Sequence, residues 1–275
     1  MMPLGLNHMT VPHKTGRELV ALAASLGCAG IELRNDLNMP LFDHQTPESF
    51  GNVVKSAGLE IFALAEVAAF NVATADKRAD ATRLIEMAAR CGAQGVALIP
   101  QVSSAQITRA EQRALLREAL TILQPVLEDH GVIGLIEPLG FANSTLRHKA
   151  DVCDVLADLG HPACFAMIHD TFHHHLAGDT QIYPDMTALV HISGVADPVV
   201  AIDEMTDAHR GLVHADDRLG NIAQLHAFAA AGYTGPASFE AFAPEIHEIT
   251  NPAAAVAGSI AFITSHLTAP AVGAA

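Results

Sequence analysis

The stretch Phe165-Ala166-Met167-Ile168-His169-Asp170-Thr171-Phe172-His173-His174-His175-Leu176-Ala177-Gly178 joins a short apolar run to an acid and three consecutive histidines. The apolar run is too short for a helix and is typical of a buried parallel strand. Asp170 falls where this strand ends, and chemistry in α/β folds is concentrated at the carboxyl ends of strands. A single acid there can equally be the N-cap of a helix. The residues at the ends of the other strands are therefore needed to distinguish a cap from a functional site.

Seven further short apolar runs flank this one, and segments with helical spacing separate them. The eight predicted strands cover residues 4–7, 30–33, 60–65, 95–99, 132–136, 165–168, 189–192 and 237–239. Strands that alternate with helices predict an α/β fold with a parallel sheet, and eight repeats predict a closed (β/α)8 TIM barrel. We expect one domain over residues 1–268 and a loose Ala/Gly/Pro tail over residues 269–275. The one long irregular connection covers residues 194–220, and such loops are often functional.

The bulk composition excludes several classes of protein. The chain has 275 residues, a net charge of −15 and no basic cluster, which argues against a nucleic-acid partner. Its four cysteines are scattered without CxxC spacing, and no apolar segment of a signal peptide is found in residues 1–12. Reduced thiols and a cytoplasmic location are therefore expected. No apolar run reaches the roughly 18 residues of a membrane span.

Four of the predicted strands end at or near a side chain that can bind a metal. Glu137, Asp170, His191 and Glu240 lie at the ends of the fifth, sixth, seventh and eighth strands, respectively. Neighbouring strands place these ends side by side on one rim of a barrel. Three carboxylates on one rim repel one another unless a cation lies between them. Three oxygens and one nitrogen suit Mn, Zn, Co or Mg, so the pattern predicts one divalent metal ion.

Each of these residues also has an ordinary structural interpretation. Glu137 and Asp170 could cap helices, although Glu137 precedes Pro138 and no helix is predicted there. His191 could be a core histidine with a satisfied hydrogen bond, and Glu240 could be a solvated loop acid. The metal site would be excluded only if all four ordinary interpretations were correct at the same time.

Three further residues are candidates for substrate binding. His173 follows Asp170 by three positions, Arg210 lies in the long connection, and Glu32 ends the second strand on the same rim. Arg210 could instead be a surface arginine paired with Asp207 or Asp216, and Glu32 could be a cap or pair with Arg34. For His174 and His175 an exposed loop position is the expected role.

Several absences narrow the chemistry. The four lysines lie in predicted helices or their leading turns, so Schiff-base aldol chemistry is disfavoured. No GxGxxG motif or P-loop is present, and no nucleotide cofactor is expected. A neutral polyol therefore fits better than a sugar phosphate.

The motifs around these residues are similar to those of the xylose-isomerase-like TIM barrels over nearly the whole chain. They are Asn7-His8-Met9-Thr10, Ile31-Glu32-Leu33-Arg34, Phe70-Asn71, Ile136-Glu137, Asp170-Thr171-Phe172-His173, Val190-His191-Ile192, Thr206-Asp207 with Arg210, Phe239-Glu240 and Pro244-Glu245. The resemblance implies that the metal ligands are Glu137, Asp170, His191 and Glu240, and that His173 and Arg210 lie beside the substrate. Two departures, Ser193-Gly194 in place of an acid and 215–220 in place of a Gly-x-Gly turn, both line the substrate side.

Within this family the chain is most similar to enzymes that isomerise inosose (2-keto-myo-inositol). The resemblance implies a metal-dependent intramolecular oxidoreductase of inositol catabolism, which acts on a small keto-polyol through a metal-stabilised enediolate. Glu137 and Glu240 are then the expected catalytic residues, because the resemblance places them on opposite sides of the substrate. A general-base step through His173 is the alternative. Barrels of this kind also often form homo-oligomers through their outer helices.

Other functions fit the same pattern. These are a different ketose or polyol epimerase or isomerase (including one for a hydroxypyruvate-type substrate), an inosose dehydratase, and a non-catalytic sugar-binding barrel. Metal-dependent endonucleases for abasic DNA need more metal-binding histidines and a basic surface, and the charge of −15 argues against them.

Overall fold

Eight parallel strands form a closed barrel in chain order, and the last strand pairs with the first. The computed structural model describes residues 2–72, 74–103 and 107–268. The strands are β1 Leu4–Asn7, β2 Gly30–Arg34, β3 Glu60–Ala68, β4 Gly95–Ile99, β5 Ile133–Ile136, β6 Phe165–Asp170, β7 Thr187–Ile192 and β8 Ala237–Phe239. The predicted (β/α)8 TIM barrel is therefore confirmed.

Helices on the outside of the barrel connect successive strands. In the described ranges they are α1 Gly16–Ser25, α2 Pro47–Ser56, α3 Ala75–Cys91, α4 Arg109–His130, α5 Lys149–Asp158, α6 Thr171–Ala177, α7 Asn221–Ala230, α8 Pro244–His247 and α9 Pro252–Thr268. None of these helices is both long enough and apolar enough to cross a membrane. The predicted tail over residues 269–275 lies outside the described residues.

Local sequence signals account for where many of these helices begin and end. A threonine side chain accepts a hydrogen bond from a first-turn N–H of α1, α2, α3 and α4, which satisfies a backbone donor that has no partner within the helix. Gly92, Gly131 and Gly178 end α3, α4 and α6 with φ values of 77°, 64° and 69°. Such left-handed positions favour glycine because it has no Cβ.

Apolar side chains fill the end of the barrel where the strands begin. Phe62 is central, and a Cβ placed on Gly5 or Gly30 would lie 2.6 Å or 2.5 Å from its ring. The two glycines therefore leave the space that the ring occupies. A second and larger apolar layer lies between the strands and the helices. This arrangement leaves the opposite end of the barrel to polar side chains.

The structure departs from the sequence prediction around β6. The strand continues through Asp170, and the histidine run forms the helix α6 instead of a loop. His174 is buried in this helix, so its expected exposure was wrong. Asp170 Oδ1 accepts hydrogen bonds from the N–H groups of Phe172 and His173, and this cap starts a helix of seven residues without an apolar repeat.

Candidate metal centre

The carboxyl ends of β5 to β8 bring the four predicted metal ligands together. Glu137 and Glu240 directly follow β5 and β8, whereas Asp170 ends β6 and His191 lies next to the end of β7. One potential ligand atom from each residue lies within 4.8 Å of those of the other three, and all four side chains are buried. Asp170 and His191 face each other in the register of β6 and β7, so backbone pairing fixes part of this geometry.

His191 lies at the centre of the cluster. Its Nδ1 atom is 3.1 Å from Glu240 Oε2, 3.6 Å from Glu137 Oε1 and 3.9 Å from Asp170 Oδ2. Nδ1 is buried and makes no hydrogen bond with the described residues. Burial lowers the pKa of His191, but the surrounding carboxylates raise it well above its ordinary value. An imidazole nitrogen that faces three carboxylate oxygens is a donor set suited to a divalent cation.

Glu240 is held by cationic and amide groups on both of its oxygens. Arg34 Nη1 donates to Oε1 at 2.8 Å, and Asn7 Nδ2 donates to the same oxygen at 3.2 Å. Arg210 Nη2 donates to Oε2 at 2.8 Å. Burial opposes ionisation of this carboxyl, but His191 and the two arginines lower its pKa below the ordinary value. Glu240 is therefore an ionised and firmly oriented carboxylate.

Glu137 has a different environment from Glu240. It is buried, and among the described charged groups its closest partner is His191 Nδ1, at 3.6 Å. Burial raises the pKa of Glu137 to about 7, although His191 opposes this shift. The pKa values of the two glutamates thus shift in opposite directions, because Arg34 and Arg210 contact Glu240 and not Glu137.

Asp170 has a separate role for each oxygen. Oδ1 caps α6, whereas Oδ2 accepts a hydrogen bond from Arg210 Nη2 and faces His191. Asp170 is therefore both the N-cap of α6 and a member of the cluster.

Arg210 and His173 lie beside the cluster. Arg210 is 1% exposed, and its guanidinium lies 4.4 Å from the ring centre of Phe242, within the range of a cation–π contact. Besides the two carboxylates, it donates to Ser193 Oγ and Asp207 Oδ1. His173 packs against Phe141 with ring centres 5.0 Å apart, and burial lowers its pKa to about 4. His173 is therefore a neutral imidazole that can donate or accept a hydrogen bond but is a weak base.

Glu32 contacts the cluster from the opposite side of the barrel. Its Oε2 atom lies 3.0 Å from His191 Nε2, and both side chains are almost completely buried. Its predicted role in binding a substrate hydroxyl stays a prediction, and the contact with His191 is an additional feature that the sequence did not indicate.

Asn7 and Arg34 were not predicted as site residues. Arg34 also pairs with Asp36 at 2.8 Å and with Glu66 at 3.2 Å, so it joins β2, β3 and β8. One sequence signal could have found it, since alternate residues of a strand face the same side and Arg34 follows Glu32 by two positions.

A second polar cluster lies on the outer face of β6. Lys149 is 2% exposed, and its Nζ atom is 3.1 Å from Nδ1 of His174. The His174 ring packs against His169, whose Nε2 contacts Gln224 Oε1 at 2.8 Å. These contacts join α5, α6 and α7 to the strand that carries Asp170, and none of the four side chains belongs to the metal-type cluster.

Comparison with protein families gives one match to most of the chain. A model of the xylose isomerase-like TIM barrel family matches residues 20–266, a range that contains all four residues of the cluster.

Comparison with individual proteins gives a weaker sequence relationship and a close structural one. Inosose isomerase of Bacillus velezensis is 25% identical over 174 residues, which are 61% of this chain and only 60% of that enzyme. A xylose isomerase domain containing protein from Salmonella typhimurium LT2 is 26% identical with a TM-score of 0.88, over 98% of both chains. The IolI protein, whose structure contains a zinc atom, is 20% identical with a TM-score of 0.86, over 97% of this chain and 98% of that chain. At 20% identity the likeness to IolI is one of fold.

Proposed function

We propose that this chain, which belongs to the xylose isomerase-like TIM barrel family, is a divalent-metal-dependent isomerase of a keto-polyol, with 2-keto-myo-inositol as substrate. One observation carries the proposal: three carboxylates and an unpartnered imidazole nitrogen converge at the carboxyl end of the barrel. The inosose isomerase relative and the zinc atom of IolI support the substrate and the metal.

The charges around the site fit a divalent cation. Its nearly fully buried carboxylates are those of Glu32, Glu137, Asp170 and Glu240, whereas its buried guanidinium groups are those of Arg34 and Arg210. With His191 neutral and all four carboxylates ionised, this set has two negative charges in excess, and Asp36, Glu66 and Asp207, which also pair with the two arginines, add to that excess. A bound divalent ion would offset the buried excess, since buried charges are paired or coordinate metals. Glu137, Asp170, His191 and Glu240 would hold the ion.

The charge of the substrate follows from the same groups. Every nitrogen of the Arg34 and Arg210 guanidinium groups already donates to a protein side chain, and among the described residues only one N–H of each group, on Nη1, is left for a substrate oxygen. These arginines therefore neutralise the protein's own acids and do not form a pocket for a phosphate or carboxylate. This arrangement favours an uncharged polyol.

The proposed reaction moves a ketone to a neighbouring carbon. A metal held by the cluster would supply Lewis-acid polarisation of the carbonyl and the adjacent hydroxyl. Of Glu137 and Glu240, one removes the proton from the hydroxyl-bearing carbon and the other delivers a proton to the former carbonyl carbon. The hydroxyl proton passes between the two oxygens, so no atom is gained or lost. His173 and Arg210 orient the oxygens of the substrate.

The test is a turnover assay on protein stripped with chelator and then supplied with Mn, Zn, Co or Mg. The substrate is 2-keto-myo-inositol in heavy water. We expect metal-restored conversion to an isomeric inosose that carries carbon-bound deuterium. Metal binding without conversion would contradict the proposed substrate. A panel of ketoses would then test for another isomerase or epimerase activity. A product lighter by one water would indicate a dehydratase, and sugar binding without any turnover would indicate a non-catalytic barrel.

A cytoplasmic location and assembly into a homo-oligomer are proposals of the same kind. Cell fractionation and size-exclusion chromatography test them.

A further inference from the structure

The imidazole of His191 is held from across the barrel. Glu32 lies on β2 and His191 on β7, and β1 and β8 separate these strands in the sheet. The distance between Glu32 Oε2 and His191 Nε2 is 3.0 Å. The two side chains are 0% and 1% exposed, so water does not compete for this hydrogen bond.

This contact determines which nitrogen of the ring keeps its proton when the ring is neutral. An ionised carboxylate only accepts hydrogen bonds, so the Nε2 atom of His191 must be the N–H donor. Without a metal the carboxylates favour the doubly protonated ring; a bound metal would take the place of the Nδ1 proton, and the lone pair would then belong to Nδ1. Nδ1 is the nitrogen that faces Glu137, Asp170 and Glu240 and that makes no hydrogen bond.

The other contacts of Glu32 argue against a role in general fold support. Within the described ranges, its Oε1 atom is buried and has no hydrogen-bond partner. The carboxylate therefore neither caps a helix nor joins a wider polar network, and His191 is the hydrogen-bonded partner of its other oxygen.

We infer that Glu32 is a positioning residue, which fixes the ring orientation and the tautomer of His191 so that Nδ1 binds the metal. This inference rests on the proposed metal centre. Groups that hydrogen-bond to a metal-binding histidine raise its basicity, and their loss typically lowers metal affinity by about 10–100-fold.

The first experiment compares zinc affinity in the wild-type protein and in Glu32→Gln, by competition with a chromophoric chelator. Glutamine keeps the shape of the side chain, but its amide can donate as well as accept and no longer dictates the tautomer. We expect zinc affinity to fall by about 10–100-fold in Glu32→Gln. The matched control is Asp151→Asn, which removes another buried acid, one that pairs with Arg109 on the outer helices.

The outcomes separate this inference from the proposed function. If the wild-type protein binds no zinc, the proposed metal centre fails and this inference fails with it. If the wild-type protein binds zinc and Glu32→Gln binds it equally well, or if Asp151→Asn loses as much affinity, only the role of Glu32 is overturned. A loss of turnover with unchanged zinc affinity would likewise overturn it and would return Glu32 to substrate binding.

A second measurement does not depend on the folding of a variant. Nuclear magnetic resonance of isotope-labelled histidine nitrogens in the zinc-loaded wild-type protein reports which atom of His191 binds the metal. We expect a zinc-bound Nδ1 and a protonated, hydrogen-bonded Nε2. A zinc-bound Nε2 would overturn the inference whatever the variants do.

Discussion

Arg34 Nη1 donates a 2.8 Å hydrogen bond to Glu240 Oε1, although the two residues are 206 positions apart in the chain. The side chains are 5% and 3% exposed, and the pair connects β2 with β8 through the interior of the barrel. A buried ion pair of this kind is sensitive to the loss of one partner, because the remaining charge is left in a medium of low dielectric constant.

Replacement of Arg34 should therefore be strongly destabilising. We expect Arg34→Met to lower the free energy of unfolding by about 3–5 kcal/mol in urea titrations with chelator present. The matched control is Arg90→Met, which breaks an exposed pair with Glu48 and should change stability little. Equal effects of the two substitutions would contradict the importance of the buried pair.

Substitution of either glutamate in the cluster should stop turnover. Glutamine cannot accept or deliver the proton, so Glu137→Gln and Glu240→Gln should each lower kcat by about 10²–10⁴-fold. Bound metal is measured in the same samples to separate lost chemistry from lost metal. Glu60→Gln, at the opposite end of the barrel, is the control, and full activity in both cluster variants would exclude a mechanism with two glutamates.

Lys149 should make stability rise with pH in mildly alkaline solution. Burial lowers its pKa to about 8, from an ordinary value of 10.5. Between these values the unfolded chain binds more protons at this site, so the contribution of Lys149 to the free energy of unfolding increases with pH in that window. Below it the buried ammonium destabilises the fold by up to about 3 kcal/mol.

The variant Lys149→Met tests this effect. It should be more stable than the wild type at neutral pH, and this advantage should shrink between about pH 8 and pH 10.5. Burial raises the pKa of the four cysteine thiols to about 11, so the thiols lower stability as the pH rises, but they do so about equally in both proteins, and the difference between the two proteins is the quantity to compare. Urea midpoints measure both quantities. Lys55→Met replaces an exposed lysine, and its difference from the wild type should not change with pH. A constant difference for Lys149→Met as well would contradict the assignment.

His174 should make the protein less stable in acid. Burial, followed by the charge of Lys149, lowers its pKa to about 4, from an ordinary value of 6.5. Between these values unfolding takes up a proton at this site, so stability is lost as the pH falls. Glu137 titrates with the opposite sign, so a difference between two proteins is the appropriate measurement.

We expect the stability of His174→Gln to fall less steeply than that of the wild type over this range, by about 1.4 kcal/mol per pH unit. Urea titrations across the range provide the comparison. His130→Gln replaces an exposed histidine and should follow the wild-type curve. Parallel curves for His174→Gln and the wild type would refute the prediction.

Gly140 should not tolerate a side chain. A Cβ there would lie 2.2 Å from the carbonyl oxygen of His173 and 2.7 Å from Leu176 Cβ, and backbone cannot rotate away. Gly140→Ala should destabilise the fold by about 1–3 kcal/mol and lower activity by displacing His173. The control is Gly258→Ala in α9, where an added Cβ meets open space. This substitution should stabilise the fold slightly. Thermal melts compare the two variants. Similar shifts in melting temperature would contradict the prediction, because the backbone around Gly140 would then move easily to accommodate a side chain.

The sequence could predict the barrel because the signals for its strands are local. Each strand is a short apolar run between turn residues, and closure follows from counting them. The convergence of Glu137, Asp170, His191 and Glu240 could be predicted for the same reason. Residues at the ends of neighbouring parallel strands lie close together, so the prediction needs no knowledge of side-chain conformation. The short helices α6 and α8 were missed because they lack an apolar repeat long enough to recognise.

Contacts across the barrel could not be predicted in this way. The hydrogen bond between Glu32 and His191 joins residues 159 positions apart and depends on strand stagger and rotamers. The burial of Lys149 depends on how α5 packs near α6, whereas charged residues at helix starts are usually exposed. Arg210 was identified, but its hydrogen bonds to Asp170 and Glu240 were visible only in three dimensions.

Contacts to the cluster cross the seam at which the two ends of the ring of strands meet. All four members of the cluster come from β5 to β8, whereas Asn7, Glu32 and Arg34, which hydrogen-bond to Glu240 or His191, come from β1 and β2. The pairing of β8 with β1 brings the two sets together, so the half of the barrel that carries the cluster lacks these partners on its own. Tight metal binding by the proposed centre would therefore report ring closure, and a separately produced β5–β8 half should gain it only on complementation by the other half.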